Sequence, residues 1–288
     1  MKIIVDGMGG DKGIKDIVKG CIDAVNELGA NIIIVGQEDI IDKELNKHEY
    51  PKDMIEIINS TEVITNDEEP ALAIRRKKDS SIVVGLKALA DGKGDGFVSA
   101  GSTGALLAGG LFIVKRIRGI ERACLASVSP KVGLANIGTE EGKGNALVKE
   151  AYGLIKNSNL NFVGNAEVRD IPEGICDVIV CDGFVGNVLL KLTEGMAISL
   201  FSSLKDEFTK SFKSKIGALM LKSQLKSFKD KLDYREYGGA PLLGLKQPVV
   251  KAHGSSDAYA IKNAIRQVKT LIEMDVIKII ENDININE

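Results

Sequence analysis

The stretch Lys251-Ala252-His253-Gly254-Ser255-Ser256-Asp257-Ala258 sets a histidine, two hydroxyls and a carboxylate between a short apolar run and a long amphipathic one. Serine and aspartate at a helix start cap free N–H groups, and the helix dipole makes that end attractive to an anion. A strand, a histidine and a small-residue helix start, in that order, are the parts of a phosphate pocket at the carboxyl end of a sheet. The same residues would also make an ordinary capped helix beside a surface histidine. Other glycine turns therefore decide between the two.

Four such turns follow apolar runs. Asp6-Gly7-Met8-Gly9-Gly10-Asp11 lets the backbone approach a ligand between two carboxylates. It is not a dinucleotide fingerprint, because Lys12 stands where the third glycine is needed. Ala100-Gly101-Ser102-Thr103-Gly104 offers hydroxyls and N–H groups at another helix start. The run from Asn136 to Asn145, NIGTEEGKGN, misses the nucleoside triphosphate loop spacing by one residue. Asp182-Gly183-Phe184-Val185-Gly186-Asn187 is followed four residues later, on the same helix face, by Lys191. Arg75-Arg76-Lys77-Lys78 is the densest cationic run. It reads as a solvated helix face or as the source of one bidentate phosphate clamp. Together the turns point to a phosphate-containing ligand.

These turns must sit on a scaffold. Apolar runs at 2–5, 31–35, 55–58, 97–99, 124–128, 132–137, 161–163, 177–181 and 248–250 read as strands. Amphipathic segments at 14–28, 80–90, 105–116, 143–156 and 256–274 read as helices. The alternation predicts an α/β fold: a doubly wound, mostly parallel sheet in three layers. The tail from Asn282 is polar and is expected to fray. One joint breaks the pattern. The runs at 124–128 and 132–137 are bridged by three residues, whereas a parallel crossover needs a dozen or more. Either the two form a tight antiparallel hairpin, or a segment is missing between Pro130 and Lys131.

Length and composition narrow the function. The 288 residues, 44% of them apolar, suffice for one large domain or two lobes. A net charge of -2 gives no global pull toward nucleic acid, and the absence of Trp argues against base-stacking surfaces. Cys21, Cys124, Cys176 and Cys181 lack metal-site spacing, and two histidines are too few for a histidine-rich site, so no metal or cofactor is expected. Reduced, buried thiols fit a cytoplasmic protein. Met1 opens straight into a charged residue, without a secretory leader, and no apolar run approaches the length of a membrane span.

The stretch 201–235 is of another kind. Phe201, Leu204, Phe208 and Phe212 share one helical face, and Leu221, Leu225, Phe228 and Leu232 another. Gly217 is expected to separate two helices, leaving Leu219, Met220 and Leu221 as an apolar tip among lysines. Such a hairpin either packs on the body or touches an anionic membrane.

With these motifs in place, the chain resembles the acyl-acyl carrier protein:phosphate acyltransferase family (PlsX) of bacterial phospholipid synthesis. DGMGGD, RRKKDSS, SAGSTGALLAG, NIGTEEGKGN, VGNAEVRDIPEG, CDGFVGNVLLK, YGGAPLLG and KAHGSSDA follow the family's order over nearly the whole chain. The resemblance implies a fold like that of isocitrate and isopropylmalate dehydrogenases and phosphate acetyltransferases. It also implies transfer of a fatty acyl group from acyl carrier protein to inorganic phosphate. His253, Asn187 and Lys191 would serve the chemistry, and Ser255, Ser256, Arg75, Arg76, Ser102 and Thr103 would hold phosphate. Asp6, Gly9, Gly10, Asp11, Asn136, Asn145 and Asp182 would line the pocket. A homodimer is implied, with membrane contact through Leu219, Met220 and Leu221 that hands product to a membrane glycerol-3-phosphate acyltransferase. The chain departs from the family at Lys12-Gly13-Ile14. It also departs at Pro130-Lys131, where the family carries a strand and helix, on the order of forty residues, that a three-residue joint cannot replace. The rival readings are a coenzyme A-dependent phosphate acetyl- or butyryltransferase and a dehydrogenase of the isopropylmalate type.

Overall fold

The computed structural model describes residues 1–118, 120, 124–125, 131–158, 160–231 and 233–286. They divide into two compact units, 1–126 with 233–288, and 127–232. The junction at Pro130 lies outside the described residues.

The first unit begins with β1 (Lys2–Asp6), α1 (Ile14–Leu28), β2 (Asn31–Gly36), α2 (Glu38–Leu45) and β3 (Ile55–Asn59). It continues through α3 (Pro70–Arg76), α4 (Ser81–Ala90), β4 (Gly96–Ser99), α5 (Thr103–Gly109) and β5 (Cys124–Leu125). A π-helical turn, Gly110–Val114, extends α5. The second unit holds β6 (Val132–Asn136), α6 (Ala146–Lys156), β7 (Phe162–Glu167), β8 (Val178–Val180), α7 (Gly183–Thr209), α8 (Phe212–Met220) and α9 (Lys222–Lys231). The chain then returns to the first unit for β9 (Gly239–Leu243), β10 (Val249–Ala252), α10 (Ala258–Glu273) and α11 (Val276–Ile286). The tail expected to fray is thus helical to Ile286.

The first unit's sheet runs β3-β2-β1-β4-β10-β9-β5. β3 through β10 are parallel, and β9 is antiparallel to both β10 and β5. Period-two alternation sends Ile3, Val5, Ile32, Ile34, Val98 and Val250 to a face covered by α1 and α10. Ile4, Ile33, Val35, Phe97 and Val249 go to the face under α3, α4 and α5. Both faces of these strands are buried, which is why they read as continuous Ile/Val runs. At about 1.5–3 kcal/mol per fully buried aliphatic side chain, these two clusters are the main source of the unit's stability. This is the expected three-layer arrangement.

The second unit has three parallel strands in the order β7-β6-β8. Its buried apolar residues are few: Val132, Leu134, Ala135 and Ala166. No residue of α6 or α7 is buried. α7 spans 27 residues and is long and apolar enough to cross a membrane by length and composition, correcting the expectation that no run approaches that length. Among the described residues β5 and β6 belong to different sheets; the joint between them, suggested as a hairpin, lies outside the described residues. Gly217 lies inside α8, and the break falls at Leu221 instead. A further break lies at Ser211, which forms with Ser214 the capping box that starts α8. Leu219, Met220 and Leu221 are exposed, at 70%, 77% and 47%.

Candidate active site

β1, β4 and β10 are adjacent, parallel and in register, so their carboxyl ends deliver three loops to one place. The loops lock together through their backbones. Asp11 N–H donates to Gly254 O at 2.7 Å. A Cβ on Gly9 would lie 2.6 Å from both Gly101 N and Asp6 Oδ2, so only glycine lets these turns touch. Gly10 adopts φ 91°, in the left-handed half of the map, facing Ala100 and Gly254.

Asp6 braces this assembly. It is 1% exposed and accepts from Met8 N–H at 3.1 Å and from Ser99 Oγ–H at 2.7 Å. Ser99 Oγ in turn accepts from Gly101 N–H at 3.0 Å. Burial raises the Asp6 pKa above the ordinary carboxylate value, against the lowering effect of its hydrogen bonds. Asp6 is a structural anchor, not a ligand-facing carboxylate, because its oxygens are spent on the two turns. Ser99 was not anticipated. Its signal was a hydroxyl at the last strand position before a glycine turn.

Ser102 caps α5, accepting from Ala105 N–H at 3.4 Å, and is buried, while Thr103 is exposed. In the third loop the cap of α10 is Asp257, which accepts from Ala260 N–H at 3.0 Å. Ser255 and Ser256 therefore precede the helix and do not cap it, as the sequence had suggested. Burial raises the Asp257 pKa, but Ala260 N–H, Arg235 and Lys12 together hold it below the ordinary value. Arg235 Nη1 donates to Asp257 at 2.9 Å. Its guanidinium also grips Asp233 through Nε. No sequence pattern marked Arg235, since it is the last residue of the stretch 201–235 read as a helical hairpin.

His253 stands at the mouth of this loop. Ser255 N–H donates to His253 Nδ1 at 3.1 Å, and Ser255 Oγ lies 2.7 Å from the same nitrogen. A backbone donor makes Nδ1 an acceptor, so the proton of the neutral ring sits on Nε2. Ser256 is 4% exposed, and its Oγ has no hydrogen-bond partner among the described residues. An orphaned buried hydroxyl beside two glycine turns is an open valence for a polar ligand.

Arg75 is placed elsewhere. Its guanidinium lies over the Phe112 ring, 5.6 Å from the centroid. Gly104 abuts Pro70 at the start of α3, so α3 runs alongside α5 and Arg75 reaches the far end from Ser102. At about 1.5 Å per residue along the helix from Ser102 to Phe112, that end is about 15 Å away. Arg76 is exposed in the last turn of α3.

The second unit gathers a separate set at the carboxyl ends of β6 and β8. Asn136 is buried; its Nδ2–H donates to Lys143 O at 3.1 Å and its Oδ1 accepts from Ile137 N–H, closing the glycine turn. Asn145 caps α6 through Val148 N–H at 2.9 Å. Asp182 caps α7, accepting from Phe184 and Val185 N–H at 2.9 and 3.0 Å. Asn187 is exposed one turn on, and Lys191 pairs with Glu194 at 3.3 Å. Asp6, Ser102 and His253 are thus brought together in one unit, while Asn136, Asn145, Asp182, Asn187 and Lys191 belong to the other. The thiols divide too: Cys21 is buried, Cys176 is half-buried and Cys181 is exposed. The side chain of Cys124 lies outside the described residues.

A crystal structure of 4-hydroxythreonine-4-phosphate dehydrogenase from Klebsiella pneumoniae superposes with a TM-score of 0.51 at 13% identity, covering 94% of this chain and 99% of that one. That likeness shows the fold. A phosphate acyltransferase of Alkaliphilus oremlandii is 48% identical over 327 positions, covering 99% of this chain and 98% of the relative. One from Clostridioides difficile is 47% identical over 310 positions, covering 93% and 91%. The 327 aligned positions exceed the 288 residues present, so the Alkaliphilus protein carries residues without counterpart here. The family model for "Fatty acid synthesis protein" matches residues 1–131 and 124–279, two stretches that meet at the anomalous joint. Nearly full-length matches at this identity place the chain in the fatty acid synthesis protein family, the PlsX family that its motifs resemble.

Proposed function

We propose that the protein transfers a fatty acyl group from acyl-acyl carrier protein to inorganic phosphate, yielding acyl phosphate for phospholipid synthesis. The observation that carries this reading is the buried, unpartnered Ser256 hydroxyl between His253 and the interlocked turns of Asp6–Asp11 and Gly101–Thr103. A substantial fraction of inorganic phosphate is dianionic near neutrality. One phosphate oxygen attacks the thioester carbonyl carbon, and the tetrahedral oxyanion collapses with cleavage of the C–S bond. The thiol of the carrier leaves as thiolate and takes up a proton. No covalent enzyme intermediate is needed.

In this scheme Ser255, Ser256, Ser102, Thr103 and the surrounding N–H groups hold phosphate. His253, protonated at Nε2, donates either to phosphate or to the departing sulfur. Phosphate-dependent release of free thiol from long-chain acyl carrier protein tests the reaction, and thiol release that ignores phosphate would sink it. Acyl-coenzyme A accepted in preference to the carrier would favour a coenzyme A-dependent transferase. Ser256→Ala is expected to raise KM for phosphate about tenfold, the loss of one hydrogen bond to a charged ligand.

The exposed Leu219, Met220 and Leu221 amid lysines support transient contact of a cytoplasmic homodimer with membrane that carries the next acyltransferase. Vesicle binding should weaken with salt and with Leu219→Glu. A segment carried by the relatives is further proposed to belong between Pro130 and Lys131, because the family matches meet there and β5 and β6 lie in separate sheets. The intact mass of the protein isolated from its source would decide.

A further inference from the structure

A second place on the first unit gathers cationic side chains. The π-helical turn Gly110–Val114 ends at Lys115, whose backbone is held at φ 72° and ψ 165°. That region of the map belongs almost entirely to glycine, and π-turns concentrate at functional sites. Lys115 is kept there by pairing with the strand that leaves β9. Lys246 N–H donates to Lys115 O at 3.0 Å, Ile117 N–H donates to Gly244 O at 2.9 Å, and Arg116 bridges antiparallel to Leu245. Two lysines are thus fixed side by side, with Arg116 and Arg118 beside them, around an open cleft of about 410 Å³. Leu111 and Ile120 supply its apolar lining.

Like charges this close repel, and a folded chain answers with carboxylates where it can. It does so elsewhere: Lys2 meets Glu56, Lys19 meets Asp23, Lys47 meets Glu44 and Lys77 meets Glu68. Among the described residues, none of Lys115, Arg116, Arg118 and Lys246 has an ion-pair or hydrogen-bonded side-chain partner. Strained backbone, clustered unpaired cations and a partly apolar wall occur together, in a chain whose net charge is negative.

We propose that this cleft binds a free amphiphilic anion, a phosphate or carboxylate head on an alkyl chain, with the head among the four cations and the chain against Leu111 and Ile120. The proposal stands apart from the site at His253. Titration calorimetry on the full chain, with dodecyl phosphate below its micelle concentration as probe, tests it. Binding should weaken as salt rises, and Lys115→Gly combined with Lys246→Gln should weaken it at least about tenfold. Lys115→Gly alone should raise the melting temperature, since glycine accepts the backbone geometry, so lost binding would not reflect unfolding. Ser256→Ala should leave the cleft's affinity unchanged, which separates this site from the proposed phosphate pocket. Inorganic phosphate binding as tightly as dodecyl phosphate would overturn the amphiphile assignment. Binding confined to phosphatidylglycerol vesicles would assign the cleft to a lipid surface instead, and equal affinity of the double variant would remove it altogether.

Discussion

Replacing Asp6 with Asn tests whether this carboxylate braces the site. The side chain is 1% exposed and takes hydrogen bonds from Met8 N–H and Ser99 Oγ–H. If the Asn carbonyl keeps the Met8 bond, its NH2 faces Ser99 Oγ. That oxygen already accepts from Gly101 N–H, and its own proton then has no acceptor. One orphaned buried donor costs about 1–3 kcal/mol. The penalty should also depend on pH in a direction the structure dictates. Burial raises the folded-state pKa of Asp6. Its contribution is therefore fully present below the unfolded value of about 3.9 and is lost as pH rises through the folded value. Asn does not titrate. The destabilisation of Asp6→Asn should then be larger at pH 4.5 than at pH 7.5, measured as the difference between urea unfolding curves of variant and wild type. Loosened turns should also raise KM for phosphate. A penalty below about 0.5 kcal/mol, or one that grows with pH, would refute the reasoning, since surface substitutions fall in that range.

Other outcomes follow from the same contacts. Arg235→Gln removes the partner of Asp257, whose pKa lies below the ordinary value. The stability lost, about 0.5–1 kcal/mol for a pair open to solvent, should be seen at neutral pH and vanish as pH falls below about 4, opposite in sign to Asp6. Gly238→Ala places a Cβ 2.2 Å from Ala264 N at φ 76° and should cost more than about 2 kcal/mol, read as a drop in melting temperature. Cys181 should react with a thiol reagent in the native protein, whereas Cys21, buried and with its pKa pushed up by burial, should react only after unfolding. His253→Ala should lower kcat for thiol release by about 10²-fold if the ring donates to sulfur, and raise KM for phosphate with kcat kept if it holds phosphate.

Much of the first unit was legible because both faces of its strands are buried. Continuous runs such as Ile32-Ile33-Ile34-Val35 leave no competing period, and helix 14–28 was found with its boundaries intact. β9 escaped notice because Gly239-Ala240-Pro241 reads as a turn; it is a strand because β10 and β5 pair with it from either side. The interlocking of the Asp6, Gly101 and Gly254 turns follows from strand adjacency, which no local pattern contains. The cap of α10 was misassigned within its own motif, since Ser255, Ser256 and Asp257 are all good caps and only the backbone path chooses among them. The choice between one domain and two lobes stayed open in the sequence for a related reason: apolar stripes in α6 and α7 look like those of α1, yet nothing among the described residues buries them.

The order of the sheet also sets a timetable for synthesis. Strand β4 pairs with β10, Phe97 opposite Val249, so its neighbour is not made until the whole second unit has been translated. At about 5–20 residues per second the ribosome needs on the order of ten seconds to cover that interval. During it the nascent chain holds β1 to β4 with β4 as an open edge in addition to β3, a template for pairing with another chain. Completion of the first unit is therefore a late, long-range closure, slow by topology whatever the final stability. A chaperone that shields a strand edge would improve the yield more than any substitution in the finished core.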